Sequence, residues 1–395
     1  MKYERQLSSI HSVADFRTAA RRALPRMVFD FADGGSESET TMRENRAAID
    51  RLWLLPSAPV DVGQRKQSIE LFGQKISMPI IIGPTGLASA FWPHGDEALA
   101  AAAGKARIPY VMSTNATSSL EAVQRSGDGR KWFQLYVCPT RPETATLMDR
   151  VRNAGFEALE VTVDTAVPSR RLRDLANGFS ASIRWTPSKV IGVMSRPAWL
   201  MRTLRHGAPR PAVVDAHAQV DRTPGSEPQT VAPILNPATD WEDIAWIRDQ
   251  WRGPLIIKGI SDPRQAERAV SIGLDGIVVS NHGGRQLDGA VASIDVLPSI
   301  VAIASGRMTV LVDGGFRSGS DVLKALALGA SAVQLGRASL YALATAGEAG
   351  VSHMLNILKM EIDVAQALLG LPDLAVIDRS ILWNPPASSG ERLRG

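Results

Sequence analysis

The stretch Ser280-Asn281-His282-Gly283-Gly284-Arg285-Gln286-Leu287-Asp288 sets a histidine and an arginine three positions apart, beside two glycines and directly after an apolar run. Histidine is the side chain whose ordinary pKa lets it take a proton near neutrality, and arginine grips a carboxylate with a planar fork of donors. The pair suits removal of a proton from a hydroxy acid held by its carboxylate. Gly283 and Gly284 would let the backbone pass close to a flat ligand. Two further loops, Asp313-Gly314-Gly315-Phe316-Arg317 and Gly336-Arg337, combine glycine with arginine. Exposed N–H groups of a Gly-rich turn beside a guanidinium attract an anion such as phosphate. Lys258 closes the run Ile256-Ile257-Lys258, where an ammonium demands a negative partner.

These residues need strands to carry them. Short apolar runs recur at residues 79–83, 110–112, 132–137, 158–163, 255–258, 276–279, 309–312 and 332–335, separated by helical patterns such as residues 95–102 and 320–327. Continuous apolar runs instead of alternating ones indicate strands buried on both faces, and strict strand–helix alternation indicates a parallel sheet. Eight units predict an α/β fold, a (β/α)8 TIM barrel, with a doubly wound open sheet as the alternative. Polar residues gather at the strand ends: Thr85, Gly86, Ser113, Gln134, Tyr136, Thr162, Asp164, Lys258, Ser280, His282, Asp313, Gly336 and Arg337. That is the end where such barrels hold their active sites.

The expected organisation is a cap at residues 1–75, with a helix near 13–24 and a turn at Asp33-Gly34-Gly35. A barrel follows at 76–370, interrupted by a proline-rich insertion at 168–237, with a tail at 371–395 and a single structural domain overall. At 45% hydrophobic and 21% charged, the chain can build a large core. The lone Cys138 excludes an internal disulfide framework and is expected to be a buried apolar residue. A net charge of +4 spread over the chain is no nucleic-acid signature. Met1-Lys2-Tyr3-Glu4-Arg5 is followed by no apolar run, which argues against a signal peptide, and no metal is expected.

With its Ser280–Asp288 motif and the two Gly-Arg loops, the chain resembles the FMN-dependent 2-hydroxy acid dehydrogenases and oxidases, a family that includes glycolate oxidase, L-lactate dehydrogenase and mandelate dehydrogenase. The likeness runs from about residue 8 to residue 370. It implies FMN as cofactor, oxidation of an (S)-2-hydroxy acid to the 2-oxo acid, and a homotetramer. It implies His282 as the base, Asp164 as the carboxylate that orients it, and Arg285, Arg171 and Tyr136 as substrate ligands. It assigns Pro84, Thr85, Gly86, Ser113, Gln134, Thr162 and Ser280 to FMN, with Lys258 near the flavin N1–O2 edge. Asp313 is assigned to the ribityl chain, and Gly314, Gly315, Arg317, Gly336 and Arg337 to the phosphate. Hydride transfer and a carbanion route are both compatible with these residues.

Phe31 departs from the family, many of whose members carry tyrosine there, as 4-hydroxymandelate oxidases do not. Phenylalanine cannot donate to a carboxylate, so the change favours an aryl or bulky substrate. Residues 83–96 look like membrane-associated (S)-mandelate dehydrogenase, and residues 246–254 and 340–347 look like L-lactate dehydrogenase. Gly86 mildly favours a dehydrogenase over an oxygen-using oxidase.

Within the insertion, residues 179–214 include Arg184, Lys189, Arg196, Arg202, Arg205 and Arg210, with Trp185 and Trp199 and no acidic residue. A short helix is expected at residues 197–206, with Leu200, Met201 and Leu204 on one face and Arg202 and Arg205 flanking it. A basic amphipathic segment suits an anionic membrane surface. Residues 180–210 are therefore expected to rest on the cytoplasmic side of the inner membrane, with a quinone or the respiratory chain as acceptor. The competing readings are another phosphate-ligand barrel, such as an inosine monophosphate dehydrogenase or an isoprenoid isomerase, and a degenerate barrel kept for binding; the His282–Arg285 pair argues against both.

Overall fold

The computed structural model describes residues 6–177, 186–215 and 235–383. The N-terminal segment forms three helices, Val13–Ala23, Arg26–Asp33 and Thr40–Asp50. Ser12 caps the first by accepting from the Asp15 N–H. An antiparallel hairpin follows, β1 (Ile69–Leu71) and β2 (Gln74–Ile76). Residues 69–75 fall within the range expected for the cap, but they do not join its helices. Instead Leu71 and Ile76 join the apolar layer inside the barrel, and Phe72 meets Trp132 edge to face at 5.5 Å, so the hairpin closes the barrel floor.

The barrel strands are β3 (Ile80–Ile82), β4 (Tyr110–Ser113), β5 (Lys131–Leu135), β6 (Ala158–Thr162), β7 (Leu255–Ile260), β8 (Gly276–Val279), β9 (Thr309–Val312) and β10 (Ala332–Leu335). All are paired in parallel, and β10 pairs with β3, which closes the sheet and eliminates the open-sheet alternative. Each of the eight apolar runs coincides with one strand. Within each strand alternate side chains face the lumen. Ile81, Val111, Trp132, Ala158, Ile256, Val278, Leu311 and Ala332 fill an apolar lower layer. Two positions further along most strands the lumen turns polar, with Ser113, Gln134, Glu160, Lys258, Ser280 and Gln334 all buried. The surrounding helices start on side-chain caps where the sequence offers them; Thr140 with Glu143 and Ser318 with Asp321 form capping boxes.

The insertion between β6 and β7 carries helices Leu172–Asn177, Pro187–Met194, Pro197–His206 and Ala212–Asp215. The helix expected at 197–206 is present with Pro197 at its start and Gly207 beyond its end. Its apolar face is split, with Leu200 partly buried against the core. Trp199 is buried and donates its Nε1–H to the Ala90 carbonyl at 2.8 Å, while Met201 and Leu204 are exposed. Arg202 does not flank a lipid-facing stripe but stacks on the Trp92 ring at 4.2 Å. Arg184 and Trp185 lie outside the described residues. Among the described residues no helix is long and apolar enough to cross a membrane.

Candidate active site

The C-terminal ends of the strands bring the predicted residues together. His282 follows β8 with φ 57°, and Gly283 and Gly284 continue in the left-handed region at 62° and 74°. The turn is held by the Ser280 hydroxyl, which accepts from the His282 N–H at 3.0 Å, and by the Asn281 side-chain oxygen, which accepts from the Gly284 N–H at 3.1 Å. Gly284 also meets a demand that the expectation did not include. A Cβ there would lie 2.5 Å from the Met42 backbone nitrogen, so this glycine admits the cap. Asn281 and Asn45 exchange amide hydrogen bonds of 2.8 Å across the same junction. That pair joins positions 236 apart, so no local pattern announces it.

His282 Nδ1 lies 3.0 Å from Asp164 Oδ1, with side chains only 22% and 12% exposed. Burial alone would push the Asp164 carboxyl up, but the imidazole and Lys258 hold it below its ordinary value. Burial depresses the His282 imidazole, and Asp164 only partly restores it. Both directions give an ionised aspartate beside a neutral histidine, whose Nε2 is the basic nitrogen if Nδ1 carries the proton toward Asp164. Asp164 has room only because Gly259 lacks a side chain: a Cβ there would stand 2.6 Å from Asp164 Cβ. The sequence offered that signal in Lys258-Gly259, and the reading passed over it.

Lys258 finds the partner its burial demands. Its ammonium bonds to Asp313 Oδ2 at 2.8 Å and to Ser280 Oγ at 2.8 Å. Burial disfavours its charge, but Asp313, Asp164 and Glu160 outweigh that and raise it above its ordinary value. Asp313 thus braces a lysine, a contact that its expected ribityl role did not include. Tyr136 lies just beyond β5, is pushed up to about 12 by burial and by Asp164, and so remains a hydroxyl donor.

Positive charge accumulates above this group. Arg171 is depressed by burial, and Arg285 is depressed well below its ordinary value by burial and by the adjacent Arg171 and Arg337. Arg337 falls to about 10, from burial and from Arg317 against the opposing pull of Tyr341 and Asp33. Asp174 is the carboxylate that faces Arg285 and Arg171, and burial raises it. Two of these guanidiniums also fasten the cap. Arg285 Nη1 donates to the Phe31 and Gly34 carbonyls at 2.8 and 2.9 Å. Arg337 donates to the Ala32, Gly34 and Gly283 carbonyls at 3.1, 2.9 and 2.8 Å. Apart from that of Gly283, these are carbonyls at and just past the end of helix Arg26–Asp33, where cations are favoured. Arg337, expected at the phosphate, thus also holds the cap, a contact that role did not include, while Arg317 bonds at 2.9 Å to the Phe316 carbonyl beside the Gly314–Gly315 loop. Phe31 lies under Arg285, 5.3 Å from its guanidinium carbon, and stacks on Phe91 with 6.5 Å between centroids.

The strand ends suit a flat ligand rich in hydrogen-bonding atoms. Ser113 Oγ donates to the Gln134 side-chain oxygen at 3.2 Å, which leaves the Gln134 Nε2 donors over; that nitrogen, Thr85 Oγ1 and Thr162 Oγ1 are buried without a protein partner. Buried polar atoms of this kind take a ligand or ordered water as partner. Pro84, Thr85 and Gly86 border them after β3, and Gly336 follows β10. The polar atoms, the lysine and the guanidiniums fit an isoalloxazine ring carrying a phosphorylated tail.

Residues 20–384 match the model of the FMN-dependent dehydrogenases. The (S)-mandelate dehydrogenase of Pseudomonas putida is 40% identical over 378 residues, covering 95% of this chain and 94% of that protein. The L-lactate dehydrogenase of Pseudomonas syringae pv. syringae (strain B728a) is 40% identical over 374 residues, covering 94% and 98%. Among solved structures, the monotopic membrane protein (S)-mandelate dehydrogenase superposes with a TM-score of 0.90 at 40% identity, covering 95% of this chain and all (100%) of that one.

Proposed function

The chain belongs to the FMN-dependent dehydrogenase family, and from that premise we propose that it oxidises (S)-mandelate to benzoylformate and passes the electrons to a membrane quinone. It is an FMN-dependent 2-hydroxy acid dehydrogenase; the aryl substrate and the acceptor are the proposal. The observation that carries the substrate class is the group of guanidiniums depressed by burial beside a neutral histidine that is paired with an ionised aspartate. Such a site takes an anion that also offers a proton to remove.

Arg171, Arg285 and Tyr136 hold the substrate carboxylate and hydroxyl. His282 Nε2 removes a proton, and Asp164 stabilises the imidazolium that results. FMN, when bound, supplies the two-electron acceptor. Gln134, Thr162, Thr85, Ser113, Ser280 and Lys258 would hold its ring, and Gly314, Gly315, Arg317, Gly336 and Arg337 its phosphate. The stacked Phe31 and Phe91 supply an apolar wall suited to a phenyl ring. L-Lactate is the second reading, supported by relatives of that name at equal identity.

The insertion supports the membrane reading. Val190, Ile191 and Met194 on helix Pro187–Met194, and Met201 and Leu204 on helix Pro197–His206, are 46–71% exposed, with Arg205 and Arg210 among the exposed residues nearby. An apolar surface with basic neighbours suits an anionic leaflet, on the cytoplasmic side. A homotetramer is part of the same proposal. Anaerobic mixing of the holoenzyme with (S)-mandelate, L-lactate and glycolate tests the substrate: mandelate should bleach the flavin fastest, and faster bleaching by lactate overturns the aryl assignment.

A further inference from the structure

Glu160 is a buried carboxyl that neither the His282–Asp164 pair nor the anion-binding arginines employ. It lies mid-way along β6, is 0% exposed, and faces the lumen in the polar layer. Its Oε2 accepts from Gln334 Nε2 at 2.5 Å. Gln334 belongs to β10, and β6 and β10 stand opposite each other in the closed strand order, so this bond spans the barrel. Glu160 Oε1 and Gln334 Oε1 are buried with no protein partner.

A carboxyl is costly in such a place unless a charge answers it. Lys258 on β7 is the cation that faces it, and Asp313 beyond β9 and Asp164 beyond β6 compete for the same ammonium. Gln134 is its register neighbour on β5. β3, β4 and β8 contribute Ile81, Val111 and Val278 to the apolar layer of the same lumen. Asp313 thus holds Lys258 in an ion pair at 2.8 Å, and Asp164 and Glu160 act on the same ammonium through space in a region shielded from water. Burial, with Asp313 and Asp164 adding to it, pushes the Glu160 carboxyl up to about 7 against the pull of Lys258 and Gln334.

We propose that Glu160 is a positioning residue that sets the charge beneath the flavin site: it shares Lys258 with Asp313 and Asp164, and binds a proton when negative charge is added above that lysine. The inference rests on FMN occupying the strand ends around Lys258. The step is a proton exchange with solvent, carboxylate plus proton giving carboxylic acid, and moves no electrons itself. Linkage makes it reciprocal: if adding electrons above Lys258 favours protonation of Glu160, then protonation of Glu160 favours adding the electrons.

The test is a redox titration of bound FMN in the holoenzyme between about pH 5.5 and 8.5. Wild type should show a change of slope near pH 7. Glu160→Gln, which preserves size and can still accept from Gln334, should lose it. Its potential should match wild type at the acid end and be more positive at the alkaline end. For a unit charge about 10 Å away at an effective dielectric of about 20, the difference is on the order of tenfold in the two-electron equilibrium, about 30 mV. Gln334→Leu removes the donor that favours the carboxylate, so the change of slope should move to higher pH, which keeps the test available if Glu160→Gln does not fold. An infrared difference spectrum between acid and alkaline pH should contain a protonated carboxyl band that Glu160→Gln lacks. Equal potentials for wild type and Glu160→Gln at alkaline pH overturn the proposal. A purified wild-type protein without flavin absorbance would overturn the cofactor reading instead, and the two failures are told apart at sight.

Discussion

Replacing Asp164 by asparagine tests the role given to the histidine. The carboxylate stands 3.0 Å from His282 Nδ1. At that distance and an effective dielectric of about 20, a full imidazolium would gain about 5.5 kcal/mol from the negative charge. With roughly half of that charge developed at the transition state, Asp164→Asn loses about 2.7 kcal/mol, roughly a hundredfold in rate. The amide can also donate to Nδ1, which would put the ring proton on Nε2 and deepen the loss. The assay is anaerobic stopped-flow reduction of the flavin by saturating (S)-mandelate, with FMN content checked by absorbance. The pH profile adds a second readout. Burial lowers the His282 pKa, so the neutral base persists to lower pH than usual, and the wild-type rate should rise with pH on the acid side and reach its plateau before neutrality. Without the carboxylate that partly restores it, the imidazole pKa falls again, so the acid limb of Asp164→Asn should move to still lower pH while the plateau drops. A reduction rate within about threefold of wild type, with an unmoved acid limb, would refute the reasoning.

Three further changes follow from the same geometry. Arg285→Met should weaken binding of every 2-hydroxy acid, visible as a raised KM. It should also cost about 2–4 kcal/mol in denaturant unfolding, because two cap carbonyls lose a charged donor; unchanged stability would mean that those bonds do not hold the cap. Phe31→Tyr introduces a donor into the apolar wall and should lower the mandelate-to-lactate ratio of kcat/KM by about tenfold, since one hydrogen bond to a charged group is worth about 1.5–3 kcal/mol; an unmoved ratio would remove Phe31 from substrate selection. Placing aspartate at Ile191, Met194 and Leu204, which are 68%, 63% and 71% exposed, should cut co-sedimentation with anionic vesicles at least tenfold, by roughly the penalty for charges at an interface, and leave flavin reduction intact. Undiminished co-sedimentation would place membrane contact elsewhere.

The barrel was legible because parallel strands buried on both faces leave continuous apolar runs, and the polar residue ending each run marked the face where the site lies. His282, Asp164 and Tyr136 were found for that reason, Arg285 from its spacing to His282 and Arg171 from the family resemblance, and the structure brings them together. What escaped the sequence was pairing across long separations. Nothing local joins Asn45 to Asn281 or ties Arg285 and Arg337 to the carbonyls at the end of helix Arg26–Asp33. Glu160 was concealed inside a run read as apolar, since one charged residue among Ala158, Leu159, Val161 and Thr162 does not break the pattern of a buried strand. Arg202 was misread for a different reason. A basic residue on an amphipathic helix has the same sequence pattern whether it faces lipid or stacks on an aromatic ring, and only the packing against Trp92 separates the two.

The attachment of the cap also orders events during synthesis. Helix Arg26–Asp33 leaves the ribosome early, but the guanidiniums that receive its terminal carbonyls come 254 and 303–305 residues later. Its bond to Gly284 through the Ser36 N–H waits nearly as long. A nascent chain cannot seat this segment until the loops after β8 and β10 have emerged, so the cap is made first and placed last. A chain stopped before residue 337 would carry all eight barrel strands and an N-terminal segment that lacks one of its two anchoring arginines. Emergence of Arg337 is thus the step that completes the attachment of the cap.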